Sequence, residues 1–136
     1  MTRTITLCIV LLAGLLGAAS NSFASDQVSR YRKQLLLKGE WYFERNCAFC
    51  HGPEGRGLIG PNLTDLHFIY GNDRNTMEKI ITEGLPDKGM PVWSSILPAD
   101  QLASIKEYVW SLRGRMLEGK APEGTPVVAP DKVAGE

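Results

Sequence analysis

The hydrophobic positions of the chain fall into four groups. The first is an unbroken run near the start, Ile5 to Ala19, reading ITLCIVLLAGLLGAA behind a positive charge at Arg3. The second places Leu35, Leu36, Gly39, Tyr42 and Phe43 at spacings of three and four, one apolar face of a helix over Leu35–Asn46. The third puts Met77, Ile80 and Ile81 on one face of a helix over Asn75–Glu83, with Asp73 or Asn72 to cap its start and Gly84 just past its end. The fourth is the stripe Leu102, Ile105, Tyr108, Val109 and Leu112, a helix over Ala99–Arg113 that Gly114 stops. Pro98 sits near its start, where a missing N–H costs little. No segment alternates with a period of two, so the pattern predicts an all-α fold.

These groups divide the chain. The opening run is too short and too early for an ordinary membrane span. Small residues at Ser22 and Ala24 follow it, which fits an export signal over residues 1–24 cleaved after Ala24. Cys8 lies inside the run without the small-residue context of a lipoprotein site and is removed with it. Residues 25–34 are a polar lead-in, and residues 35–113 form the domain. Residues 114–136, GRMLEGKAPEGTPVVAPDKVAGE, are rich in Gly, Pro and Ala without a period and read as a flexible tail.

Charge and composition narrow the function. Fifteen Lys plus Arg balance fifteen Asp plus Glu, which excludes the basic footprint of a nucleic-acid binder. An apolar content of 43% excludes an acidic disordered chain. Three cysteines are too few for a disulfide scaffold. A domain this small usually needs a staple such as a disulfide, a metal or a cofactor. Between the first two domain helices, His51 to Gly71 holds Gly52, Gly55, Gly57, Gly60, Pro53 and Pro61. So long a loop without regular structure makes sense if it wraps something other than protein.

The chemistry sits at Cys47-Ala48-Phe49-Cys50-His51. C-x-x-C-H is the attachment signal for c-type haem: two thiols bond the vinyl groups of one porphyrin edge, and the adjacent imidazole binds iron. Two other readings exist. A zinc site would draw on Cys47, Cys50, His51 and His67, without a second Cys pair. A thiol–disulfide oxidoreductase would need a βαβ setting that the pattern lacks. For the opposite side of the iron the candidates are Met77, Met90, Met116 and His67. Met90 is favoured because Gly89 before it allows a tight approach and Pro91 after it stiffens the chain. Met77 lies on an apolar helix face, and Met116 lies in the tail.

On Gly39-x-x-x-Phe43, CAFCH, Gly60-Pro61-Asn62-Leu63, Gly89-Met90-Pro91 and Tyr108-Val109-Trp110-Ser111-Leu112, the region from Gly39 to Arg113 resembles a class I c-type cytochrome with a single haem. The set Pro61-Asn62-Leu63-Thr64-Asp65, Tyr70-Gly71 and Met90-Pro91-Val92-Trp93 is similar to the haem domains in the diheme subunit of high-affinity haem–copper oxidases, of which one C-x-x-C-H matches one domain. The resemblance implies a cytochrome c-like fold of three to four helices around one covalently bound haem c. It implies that the Pro61 carbonyl accepts a bond from His51 Nδ1–H, and that Gly39 and Phe43 cross the last helix near Ile105 and Tyr108. It implies that Leu63, Tyr70 and Trp93 pack the haem or its propionate edge, with Arg56 either a further propionate partner or a solvated loop arginine. Pro98 departs from the pattern, where Ser or Thr usually caps the last helix.

With His51 and Met90 as iron ligands, the expected role is outer-sphere electron transfer, not enzymatic catalysis. The expected protein is an exported soluble monomer in the periplasm. It exchanges electrons transiently with redox partners, binds no nucleic acid and keeps no membrane span after signal cleavage. The alternatives are a dedicated electron-transfer subunit of a periplasmic dehydrogenase or oxidase, and a haem enzyme or gas sensor with an open sixth position.

Overall fold

Helix α1 runs from Thr2 to Asn46. The computed structural model describes residues 2–127, with side chains from Phe23 onward. The apolar run read as an export signal lies outside the described side chains, and residues 128–136 of the expected tail lie outside the described residues. Sequence reasoning starts the helix at Leu35, yet nothing stops it earlier. From Ala18 to Lys38 there is neither Gly nor Pro, and Asp26 pairs with Arg30 one turn along the exposed surface. The chain divides into two units, residues 1–34 and residues 35–136, and the second carries the expected domain. Among the described residues, no helix is long and apolar enough to cross a membrane.

In the second unit the end of α1 crosses α4 (Ala99–Leu112). A Cβ on Gly39 would come within 2.7 Å of Tyr108 Cβ and closer still to the Ser104 carbonyl. Only glycine permits this approach. One turn on, the rings of Phe43 and Tyr108 lie 5.4 Å apart at a tilt of 55°, so the crossing implied by the resemblance is present. Phe43, Leu102, Ile105, Tyr108, Val109 and Leu112 form the core, with Ile81 from α3. Leu112 is fully buried against Gly55. Leu112→Ala is expected to cost about 2–5 kcal/mol through lost burial and the void left behind. Urea unfolding checks this as a lower midpoint with an unchanged slope.

Helix α3 (Arg74–Glu83) starts where the sequence places its cap. Asp73 accepts from the Thr76 amide at 2.9 Å and from its hydroxyl at 2.6 Å. These bonds hold the exposed Asp73 carboxyl below its ordinary value. A depressed folded value means that the cap stabilises above the unfolded carboxyl range and fades as pH falls through the folded value. Asp73→Asn keeps an acceptor oxygen, so its melting temperature is expected to depend less on acid pH than that of the wild type. Arg74 then ties α3 to α4, pairing with Glu78 at 2.7 Å and with Glu107. Helix α4 begins at Pro98 without a side-chain cap, as its sequence implies.

Between α1 and α3 the chain makes one α-turn, α2 (Ala48–His51), and a 3₁₀ turn over Pro53–Gly55. It then forms a two-residue strand, β1 (His67–Phe68). Antiparallel to it lies β2 (Thr125–Pro126), with His67 opposite Pro126. Residues 115–127, part of the stretch expected to be a flexible tail, lie along the loop. Many of their anchors are main-chain bonds, such as Met116 N–H to the Thr64 carbonyl at 3.0 Å and Val127 N–H to the Leu66 carbonyl at 2.9 Å. Backbone anchors leave no side-chain period to read.

Candidate functional site

The second unit encloses a cavity of about 480 Å³ with mostly apolar walls. Cys47, Cys50, His51 and Pro61 line one part of it, and Leu63, Tyr70, Met90 and Trp93 line the rest. These eight residues expected from the sequence therefore face one space.

The helix end builds the CAFCH wall. Cys47 N–H bonds the Phe43 carbonyl at 2.8 Å, and His51 N–H bonds the Cys47 carbonyl at 2.9 Å. Successive turns thus bring both thiols and the imidazole to the cavity. Both cysteines are free. Burial pushes the Cys47 thiol up to about 12, helped by Cys50 and Glu44. That is the reverse of the low value a thiol–disulfide oxidoreductase needs. Among the described residues no three His, Cys, Asp or Glu side chains gather to hold a metal ion, so the zinc set of Cys47, Cys50, His51 and His67 is not assembled.

The His51 ring is fixed from outside the cavity. Its Nδ1 lies 3.1 Å from the Pro61 carbonyl oxygen. A carbonyl only accepts, so Nδ1 carries the proton and Nε2 keeps a free lone pair. Gly60 packs flat on the ring, where a Cβ would stand 2.9 Å from Cε1. Its N–H donates to the Cys50 carbonyl at 2.8 Å. Burial holds the imidazole below its ordinary value; the Pro61 bond works against this and the Lys120 charge adds to it. The fold therefore favours the neutral, ligand-competent form.

Met90 arrives on a closed loop. The Leu85 and Met90 backbones exchange two hydrogen bonds, at 3.0 and 3.1 Å. The turn Pro86–Lys88 between them ends at Gly89 with φ 83°. The expected tight approach at Gly89 is absent, since a Cβ there would meet nothing within 4 Å; the glycine instead supplies the left-handed turn that closes the bridge. Met77 and His67 also line the cavity, whereas Met116 is exposed and does not. Arg56 does not line it either; it pairs with Glu54 at 2.6 Å on the partly exposed loop, the second of its two expected places.

Sequence reasoning missed Arg113. It lines the cavity with its guanidinium between the rings of Phe68, at 4.7 Å, and Trp110, at 4.2 Å. Its Nε is buried without a partner, as is Nδ1 of His67. The Arg113 donor, and His67 in the tautomer that protonates Nδ1, suit a group that brings carboxylates, whereas the unpartnered Asp65 Oδ2 on the same wall suits a donor. The spacing of Trp110 and Arg113 on one helix face is the signal that could have revealed it.

Comparison with known proteins places this geometry. Residues 34–109 match the family described as cytochrome c oxidase, cbb3-type, subunit III. The subunit CcoP of a cbb3-type cytochrome c oxidase from Rubrivivax gelatinosus is 34% identical over 82 residues, covering 60% of this chain and 27% of that protein. The subunit FixP of Bradyrhizobium diazoefficiens is 38% identical over 80 residues, covering 57% of this chain and 27% of that protein. The matched region thus spans about a quarter of the length of these relatives. Among solved structures, cytochrome cL from the methylotroph Methylophaga aminisulfidivorans superposes with a TM-score of 0.54 at 26% identity, covering 58% of this chain and 55% of that one.

An all-α fold with C-x-x-C-H on the wall of an apolar cavity defines a class I c-type cytochrome domain. The chain belongs to the cbb3-type cytochrome c oxidase subunit III family. The domain implies haem c, and the residues present fit that group: paired free thiols, an imidazole with an open Nε2, a thioether and the buried Arg113 donor without an acceptor.

Proposed function

We propose that this chain is an exported electron-transfer cytochrome with one covalent haem c, working as a dedicated subunit of a respiratory oxidase or a periplasmic oxidoreductase. The observation that carries this reading is the single apolar cavity faced by Cys47, Cys50, His51 and Met90 together. Cys47 and Cys50 tether the group, and His51 Nε2 and the Met90 thioether hold the iron. Haem c supplies a one-electron Fe(III)/Fe(II) couple when bound.

The chain's own residues do the rest. Pro61 orients the imidazole and raises its basicity. Leu63, Tyr70 and Trp93 pack the ring, and Arg113 and His67 meet its carboxylates. With His51 and Met90 both holding the iron, no position would be left for a substrate, which supports a carrier over an enzyme. The apolar run followed by small residues at Ser22 and Ala24 supports export to the periplasm.

The choice of a dedicated subunit over a freely exchanging soluble monomer rests on the family relationship. Affinity capture of the tagged full chain from its own host tests it. A stoichiometric haem-containing partner is expected. A monomer that trades electrons with several proteins and retains none would support the soluble carrier instead.

A further inference from the structure

We propose that residues 115–127 form a strap that holds the Pro61 carbonyl on the His51 ring and so helps to set the reduction potential of the site. The proposal rests on the haem reading above.

The strap grips the loop on both sides of Pro61. On one side, Lys120 N–H donates to the Arg56 carbonyl at 2.8 Å, and Lys120 Nζ donates to the Ile59 carbonyl at 3.0 Å. On the other side stands Thr64, which is fully buried. Its hydroxyl donates to Asn62 Oδ1 at 2.8 Å and accepts from Leu117 N–H at 3.1 Å. Asn62 Oδ1 also accepts from the Thr64 amide at 2.8 Å. Pro61 therefore lies between two residues, Ile59 and Asn62, that are each tied to the strap directly or through Thr64. The far end is pinned by the β1–β2 pairing and by Val127.

Such a grip has electronic consequences. The Pro61 carbonyl pulls on Nδ1–H and makes Nε2 a stronger donor. A stronger donor favours Fe(III) and lowers the potential. A loop freed from its strap samples longer Pro61–His51 distances, and the potential rises. Thr64 and Lys120 are thus positioning residues that act through Pro61.

The test uses the full-length, haem-loaded chain and three variants. Thr64→Val removes the hydroxyl at similar volume, and Thr64→Ser keeps it. Gly119→Val changes a strap residue and pushes the strap off the loop, because a Cβ there would collide with the Arg56 carbonyl oxygen that accepts from Lys120 N–H. Three readouts are taken: exchange of the Leu117 and Lys120 amides, exchange of the His51 Nδ1 proton in the reduced protein, and the potential. Thr64→Val and Gly119→Val are expected to speed all of these exchanges about tenfold. They are also expected to raise the potential by up to a tenfold change in the redox equilibrium, about 59 mV. Thr64→Ser is expected to behave as wild type. Faster strap amides with an unmoved His51 proton and potential would overturn the proposal, leaving a strap that is structural only. So would amides that stay protected in both disrupting variants. A wild-type chain without haem absorbance defeats the functional reading instead, so the two failures are distinct.

Discussion

Replacing both Cys47 and Cys50 with alanine is expected to abolish covalent haem and leave a poorly folded chain. The core of the second unit is small: seven buried apolar side chains beside a cavity of about 480 Å³. Unfilled apolar volume costs about 24 cal/mol per Å³, so a hollow of this size carries a penalty of up to roughly 12 kcal/mol. That rivals the whole stability of an ordinary domain. Water entering the open side lowers the figure, but water is a poor filling for apolar walls. The loop from His51 to Gly71 would then have nothing to wrap. Haem staining after denaturing electrophoresis and the far-ultraviolet circular dichroism spectrum check both halves. A variant that keeps its stain would contradict thioether attachment at these two thiols.

Met90→Ala is expected to remove the iron–thioether charge-transfer band and to lower the potential. A thioether is a soft, neutral donor that favours Fe(II). Losing two to three decades of that preference, at about 59 mV per decade, moves the potential down by roughly 120–180 mV. The vacated position is also expected to bind carbon monoxide or cyanide. Met77→Ala is the control. Both methionines line the cavity, but Met77 packs against the core from α3, whereas Met90 is presented by the Leu85–Met90 bridge. Retention of the band in Met90→Ala, with its loss in Met77→Ala or in a His67 variant, would reassign the ligand.

The legible parts of the molecule were those with a local physical cause. A three-and-four spacing gave α3 and α4 nearly to the residue. The Asp73 cap followed from its short side chain ahead of an apolar stripe. CAFCH was legible because two thiols and an imidazole at that spacing have few other uses. The Gly39 crossing and the His51–Pro61 bond came through family resemblance, and both are present. What escaped depends on partners far along the chain. The strap pairs the Leu117 amide with the Thr64 hydroxyl and the Lys120 amide with the Arg56 carbonyl, and no local spacing announces either match. Arg113 reads locally as a helix-end cation, and only the fold puts Phe68 beside it. Arg56 stands near the site in sequence, but its neighbour Glu54 takes its charge.

The most direct measurement is the optical spectrum of the purified full chain, oxidised and reduced, with its metal content. The expected result is one iron per chain in a porphyrin that denaturation does not release, with a reduced spectrum of the c type and an oxidised band from iron–thioether bonding. Colourless protein, a metal other than iron, or a porphyrin that washes out on unfolding would contradict it.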